Sequence, residues 1–154
     1  MKKISTLLLV IAVLLGACSQ AAPEGSSVPE SGAAASVLTV KGGDLEKTYS
    51  VEDLQALEAA QAEFKGVTYT GVQLSSLLRD AGFDPAQIQA VKAVASDGFT
   101  ANYEPELANK ADTIVAYATV DGGLTAEDGA FRMVLPGQEG RLNVRQLVEI
   151  QVIQ

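Results

Sequence analysis

An α+β fold is predicted for residues 37–154, as a single domain of mixed strands with short helices. Three observations predict it. Short β-rich runs recur between turn signals, the helical patterns among them are fewer and short, and the segment is large enough for one core and too small for two. The chain shows no internal repeat.

The elements follow in order. Val37-Leu38-Thr39-Val40 reads as a strand closed by Gly42-Gly43, and Lys47-Thr48-Tyr49 as a second short strand. Ser50 is placed as the N-cap of a helix over Val51 to Leu57. Phe64 to Tyr69 reads as one extended segment. Val72, Leu74, Leu77 and Leu78 give one apolar face of a helix that stops at Gly82. Asp84-Pro85 starts another turn, Ala90 to Ala95 alternates like a half-buried strand, and Ile114 to Ala118 reads as a buried one. Phe131 to Leu135 and Val148 to Ile153 complete the strands.

Upstream of the domain, Met1-Lys2-Lys3 is followed by an almost unbroken apolar run from Ile4 to Leu15, the order of a secretory signal. A membrane-spanning helix needs roughly 20 apolar residues, and this run is shorter. Leu15-Gly16-Ala17-Cys18 resembles the lipobox of bacterial lipoprotein precursors, which implies cleavage before Cys18 and lipid on its sulfur. Cys18 is the only cysteine, so no disulfide partner competes for it. Residues 18–36 are then a lipidated cysteine and a flexible tether rich in Ala, Ser, Gly and Pro, after a signal peptide over residues 1–17. The expected location is the cell envelope, on the outer side of the cytoplasmic membrane or at the outer membrane.

Loss of Lys2 and Lys3 with the signal leaves 9 basic residues against 19 acidic ones, a net charge of −10. This excess argues against a nucleic-acid partner and against docking of the domain itself on anionic lipid. Histidine and tryptophan are absent.

Three of the four arginines, Arg132, Arg141 and Arg145, fall in one stretch. A strand there delivers the chain into a loop carrying Gly137, Gln138 and Gly140, whose backbone N–H groups can turn toward an anion, and Asn143 can cap a short following helix. Guanidinium forks suit phosphate or carboxylate, or stack on a flat heterocycle. The plainer alternative is a surface loop with Arg–Glu pairs. A second candidate is Ser96-Asp97-Gly98-Phe99, a turn with Asp97 followed by Asn102 and Tyr103; Asp-Gly is first of all a hairpin turn. Gly122-Gly123 likewise reads as a turn.

The ordered set Tyr69-Thr70-Gly71-Val72-Gln73-Leu74-Ser75-Ser76-Leu77-Leu78, Ser96-Asp97-Gly98-Phe99, Ala116-Tyr117 with Gly122-Gly123-Leu124, and Gly129-Ala130-Phe131-Arg132-Met133-Val134-Leu135-Pro136-Gly137 resembles the molybdopterin-binding domain of the sulfite oxidase family, over nearly the whole segment. The resemblance implies a mixed α+β domain that holds a pterin cofactor through loops, with arginines and backbone amides around its phosphate. It places Arg132 and the Gly137 to Arg145 loop in the cofactor-binding loop, although Arg145-Gln146 stands where a lysine and a tryptophan are usual. It also implies a protein thiolate on molybdenum, and here the sole cysteine is Cys18. That departure argues against the molybdenum cofactor and against a competent oxidoreductase. The expectation is therefore a binding protein or sensor that takes a pterin or similar flat heterocycle without molybdenum and signals to a membrane or redox partner. In it Arg132, Arg141 and Arg145 grip the ligand, and Asp97, Asn102 or Tyr103 read its edge. The alternatives are a molybdopterin-dependent oxidoreductase or its subunit, and a scaffold module of an envelope complex.

Overall fold

The computed structural model describes residues 36–154. The expected signal, Cys18 and most of the expected tether lie outside the described residues. Two five-stranded sheets and a few short helices make up the structure, as the α+β expectation requires.

The first sheet contains β1 (Leu38–Gly42), β2 (Leu45–Tyr49), β5 (Ala90–Ala95), β6 (Thr100–Tyr103) and β10 (Leu147–Ile153), in the order β2-β1-β10-β5-β6. Its first and last strands in sequence, β1 and β10, run parallel at the centre, with Val40 opposite Ile150. The remaining pairs are antiparallel. The alternation read over Ala90 to Ala95 buries Val91, Ala93 and Ala95 on one face.

The second sheet contains β3 (Ala59–Phe64), β4 (Val67–Gln73), β7 (Ile114–Thr119), β8 (Gly122–Gly123) and β9 (Arg132–Val134). Strand β7 is its spine: β4 pairs along one edge, and β8 and β9 share the other. The segment Phe64 to Tyr69, expected to be one extended piece, is instead a hairpin. Lys65 and Gly66 form its two-residue turn with φ of 52° and 77°, the left-handed pair that matches the twist of the flanking strands. Strand β6, the short helix α3 (Pro105–Ala108) and the pairing of Gly122-Gly123 as β8 are further elements beyond the sequence expectation.

Helix α1 (Val51–Gln55) starts at Ser50 as expected, with a reciprocal capping box. Ser50 Oγ accepts from Asp53 N at 3.2 Å, and Asp53 Oδ2 accepts from Ser50 N at 2.8 Å. Replacing Ser50 with alanine should lower unfolding free energy by about 1 kcal/mol, readable as a shifted urea midpoint at constant slope. Helix α2 (Leu74–Asp80) is shorter than its apolar pattern suggested, because Val72 belongs to β4. Gly82, at φ 96°, ends it: Gly82 N donates to Arg79 O and Phe83 N to Leu78 O, and the Phe83 ring drops into the core. Leu74, Leu77 and Leu78 are fully buried, each contributing about 1.5–3 kcal/mol relative to exposure.

Asp80 ties α2 to the β2 edge. Its Oδ2 accepts from Lys47 Nζ and from Tyr49 Oη, both at 2.7 Å. These bonds, first from Lys47 and then from Tyr49, hold the carboxyl below the usual aspartate range. A depressed folded-state pKa contributes stability that is present above the unfolded value of about 3.9 and is lost as pH falls through the folded value. The stability gap between the native chain and Asp80→Asn should therefore be open at pH 7 and close progressively below pH ~4 in urea titrations.

Candidate anion-binding cleft

A cleft of about 360 Å³ opens where both sheets send their ends together. The β3–β4 hairpin contributes Phe64 and Lys65, the β5–β6 turn contributes Asp97 and Phe99, and the segment between β9 and β10 contributes Gly140, Arg141, Asn143, Val144 and Arg145. Arg132, from β9, completes the wall.

Arg132 is buried, with 3% of its side chain exposed. Two aromatic rings flank its guanidinium carbon, Tyr69 at 4.5 Å and Phe64 at 5.8 Å. Its Nη1 donates to Asp128 Oδ1 at 2.6 Å and to Tyr69 Oη at 2.9 Å. Its Nε has no hydrogen-bond partner, the sole buried side-chain polar atom so placed among the described residues. A buried donor of this kind normally has an acceptor, and leaving it unmet costs about 1–3 kcal/mol or more for a charged group.

The other cations approach from the rim. Arg145 Nη1 pairs with Glu127 at 3.0 Å and its Nε lies 3.4 Å from Asp128 Oδ1. Arg141 Nε pairs with Glu139 at 2.7 Å. One Arg–Glu pair of the plainer sequence reading, Arg141–Glu139, therefore lies within the loop that walls the cleft, while Arg145–Glu127 joins that loop to the segment before β9. Lys65 Nζ lies 5.4 Å from the Phe64 ring centroid, and a Cβ added at Gly140 would come within 3.8 Å of it, so the lysine reaches from hairpin to loop. Four of the nine basic residues after Cys18 thus line one cleft of an acidic chain.

Of the residues singled out from sequence, Arg132, Gly140, Arg141, Asn143, Arg145 and Asp97 meet in this cleft. Asp97 Oδ1 accepts from Phe99 N at 2.9 Å in a turn with Gly98 at φ 85°, so the hairpin reading and a place at the site both apply. Gly137 and Gln138 do not line it: Gly137, at φ 73°, turns the chain after Pro136, and Gln138 N donates to Leu135 O. Asn102 is exposed on β6, away from the cleft. Tyr103 is in the core, where its Oη donates to Leu142 O at 2.8 Å and burial pushes its pKa up, so it cannot read a ligand edge. Asn143 caps no following helix; a single 3-10 turn, Gly140–Leu142, precedes it. Its buried amide accepts from Leu135 N at 2.7 Å and donates to Glu139 O at 3.1 Å, holding the arginine loop closed.

Phe64, Lys65, Phe99 and Asp128 were not singled out. A Lys-Gly pair between extended runs is the sequence signal for the hairpin tip, and Phe99 directly follows the Asp-Gly turn.

Residues 43–154 match the family described as the oxidoreductase molybdopterin binding domain. The chain belongs to this family. Among solved structures it is similar to the sulfane dehydrogenase SoxCD from Paracoccus pantotrophus, at 21% identity and a TM-score of 0.64, over 75% of this chain and 37% of that one. That likeness carries the fold. No curated protein matches the chain. Family membership overturns the expectation that argued against the molybdenum cofactor. The missing thiolate bears on one ligand of the metal, whereas the family match concerns the domain that binds the molybdopterin.

Proposed function

We propose that the chain is a lipid-tethered, molybdopterin-holding module of an envelope oxidoreductase, and that the cleft at Arg132 takes the anionic end of the cofactor. The observation that carries this reading is the buried, unpartnered Arg132 Nε in a cleft that also collects Lys65, Arg141 and Arg145. A phosphate oxygen satisfies such a donor by a charge-assisted bond. Phe64 and Phe99 offer apolar faces to a flat ring, and the Asp97 carboxylate suits ring amino and N–H groups.

The donor set therefore fits the organic part of the cofactor. Among the described residues no group of three or more His, Cys, Asp or Glu side chains could hold a metal, and the side chains that line the cleft suit the anionic and ring parts of the cofactor. When bound, the cofactor supplies redox chemistry; this chain binds it, orients it and shields one side of it. The chain spans 37% of the SoxCD chain, and a redox subunit that completes the substrate side is part of the proposal.

Native mass spectrometry of the mature protein from its own host tests the cofactor. A molybdopterin adduct is expected, and it should be lost from Lys65→Ala/Arg141→Ala with unchanged circular dichroism. Empty protein from a host that makes the cofactor would sink the reading. The tether is tested separately: globomycin should leave uncleaved precursor, and normal processing under the drug would remove Cys18 as the anchor.

A further inference from the structure

Asp128 does not line the cleft, yet it controls two residues that do. Its carboxylate is buried, with 7% of the side chain exposed. Oδ1 receives Arg132 Nη1 at 2.6 Å and faces Arg145 Nε at 3.4 Å, while Oδ2 accepts from Thr125 Oγ1 at 2.9 Å. Two guanidinium groups thus reach the cleft with one buried negative charge behind them. Arg132 Nε still lacks an acceptor, so Asp128 neutralises the arginine without using all of its donors.

We infer that Asp128 is an internal counter-ion that sets the anion affinity of the cleft: it weakens the hold of Arg132 and Arg145 on any anion, so that lasting occupancy needs a ligand that also covers Phe64 and Phe99. The inference rests on the cofactor-holding reading above. A unit charge roughly 6–12 Å from a bound anion, across an intervening guanidinium and at an effective dielectric of about 20, changes affinity by roughly ten- to hundredfold. An inorganic phosphate feels that opposing charge in full and gains nothing from the aromatic walls. A pterin phosphate feels the same charge and adds stacking on Phe99, which is 45% exposed and otherwise faces water. Glu127 and Glu139 do not share this role, because the arginine pairs they make are solvated on the rim and screened.

Asp128→Asn keeps the shape and removes the charge. Calorimetric titration with inorganic phosphate at low salt should show at least about tenfold tighter binding to Asp128→Asn than to the native chain. Glu127→Gln, at a side chain 81% exposed, should change it by less than about twofold. Should Asp128→Asn be unfolded alone, phosphate should restore its fold, because a ligand that binds only the native state raises stability with concentration. Equal or weaker phosphate binding to a folded Asp128→Asn, or an unfolded variant that phosphate does not restore, overturns the inference. Failure of the cofactor reading is distinguishable, since it shows as absence of the molybdopterin adduct whatever the ratio of phosphate affinities.

Discussion

Arg132→Met is expected to lower unfolding free energy by about 3–5 kcal/mol, the largest effect of any single substitution in the cleft. Methionine fills similar space between Tyr69 and Phe64, so packing is not the source of the loss. The source is Asp128. Its carboxylate stays buried with Thr125 Oγ1 as its close partner, and Arg145, more than half exposed and 3.4 Å away, replaces the lost 2.6 Å contact poorly. Removing one member of a buried pair leaves an uncompensated charge, whereas removing both can be nearly neutral. Arg132→Met/Asp128→Asn should therefore recover at least about half of the loss, and the non-additivity of the cycle measures the coupling. Urea unfolding of the two single variants and the double variant checks this. A loss below about 1 kcal/mol for Arg132→Met would mean that the Asp128 carboxylate is compensated without Arg132, by Arg145 or by water.

The parts of the fold that could be read from sequence are those whose signal is local. Ser50 followed by Asp53, the leucines at 74, 77 and 78 before Gly82, and the β-rich runs of β1, β7 and β10 each carry their own pattern. Strand β3 does not. Ala59-Ala60-Gln61-Ala62-Glu63-Phe64 lacks β-branched residues, and it is a strand because β4 and the Lys65-Gly66 turn fold it back. The candidate site divides in the same way. Arg132, Arg141 and Arg145 lie within one stretch of chain and were visible together, as was Asp97 in its turn. Lys65 and Phe64 come from a hairpin nearly seventy residues before Arg132, and the Asp128 carboxylate matters only because β9 brings Arg132 against it. Tyr103 was misplaced for a related reason: a tyrosine beside a candidate turn looks available until β6 packs it into the core. Cys18 misleads for a different reason: the lack of a second cysteine touches one metal ligand, whereas the family match spans residues 43–154.

Gly71→Ala should cost about 3 kcal/mol or more, although it adds one methyl group and leaves φ in an ordinary region. Gly71 lies on β4 opposite Ala116 of β7, directly after a register shift between Thr70 and Gly71. A Cβ there would stand 2.1 Å from Val115 O and 2.6 Å from Ala116 Cα. Both atoms are backbone, so no side chain can rotate away, and the two central strands of the second sheet would have to part. That displacement propagates to the site. Ala116 pairs with Arg132 across β7 and β9, so a shifted β7 moves the buried arginine relative to Asp128 and Tyr69. Gly43 is the control, because a Cβ added there meets nothing within 4 Å and its φ of 54° predicts a cost of about 1 kcal/mol from backbone conformation alone. Thermal unfolding of the two alanine variants separates close approach from conformational preference. Equal small losses at both positions would show that β4 and β7 can part without cost. A larger loss at Gly71, together with faster amide exchange along β7 and β9, would fix the close contact of these strands as what positions Arg132.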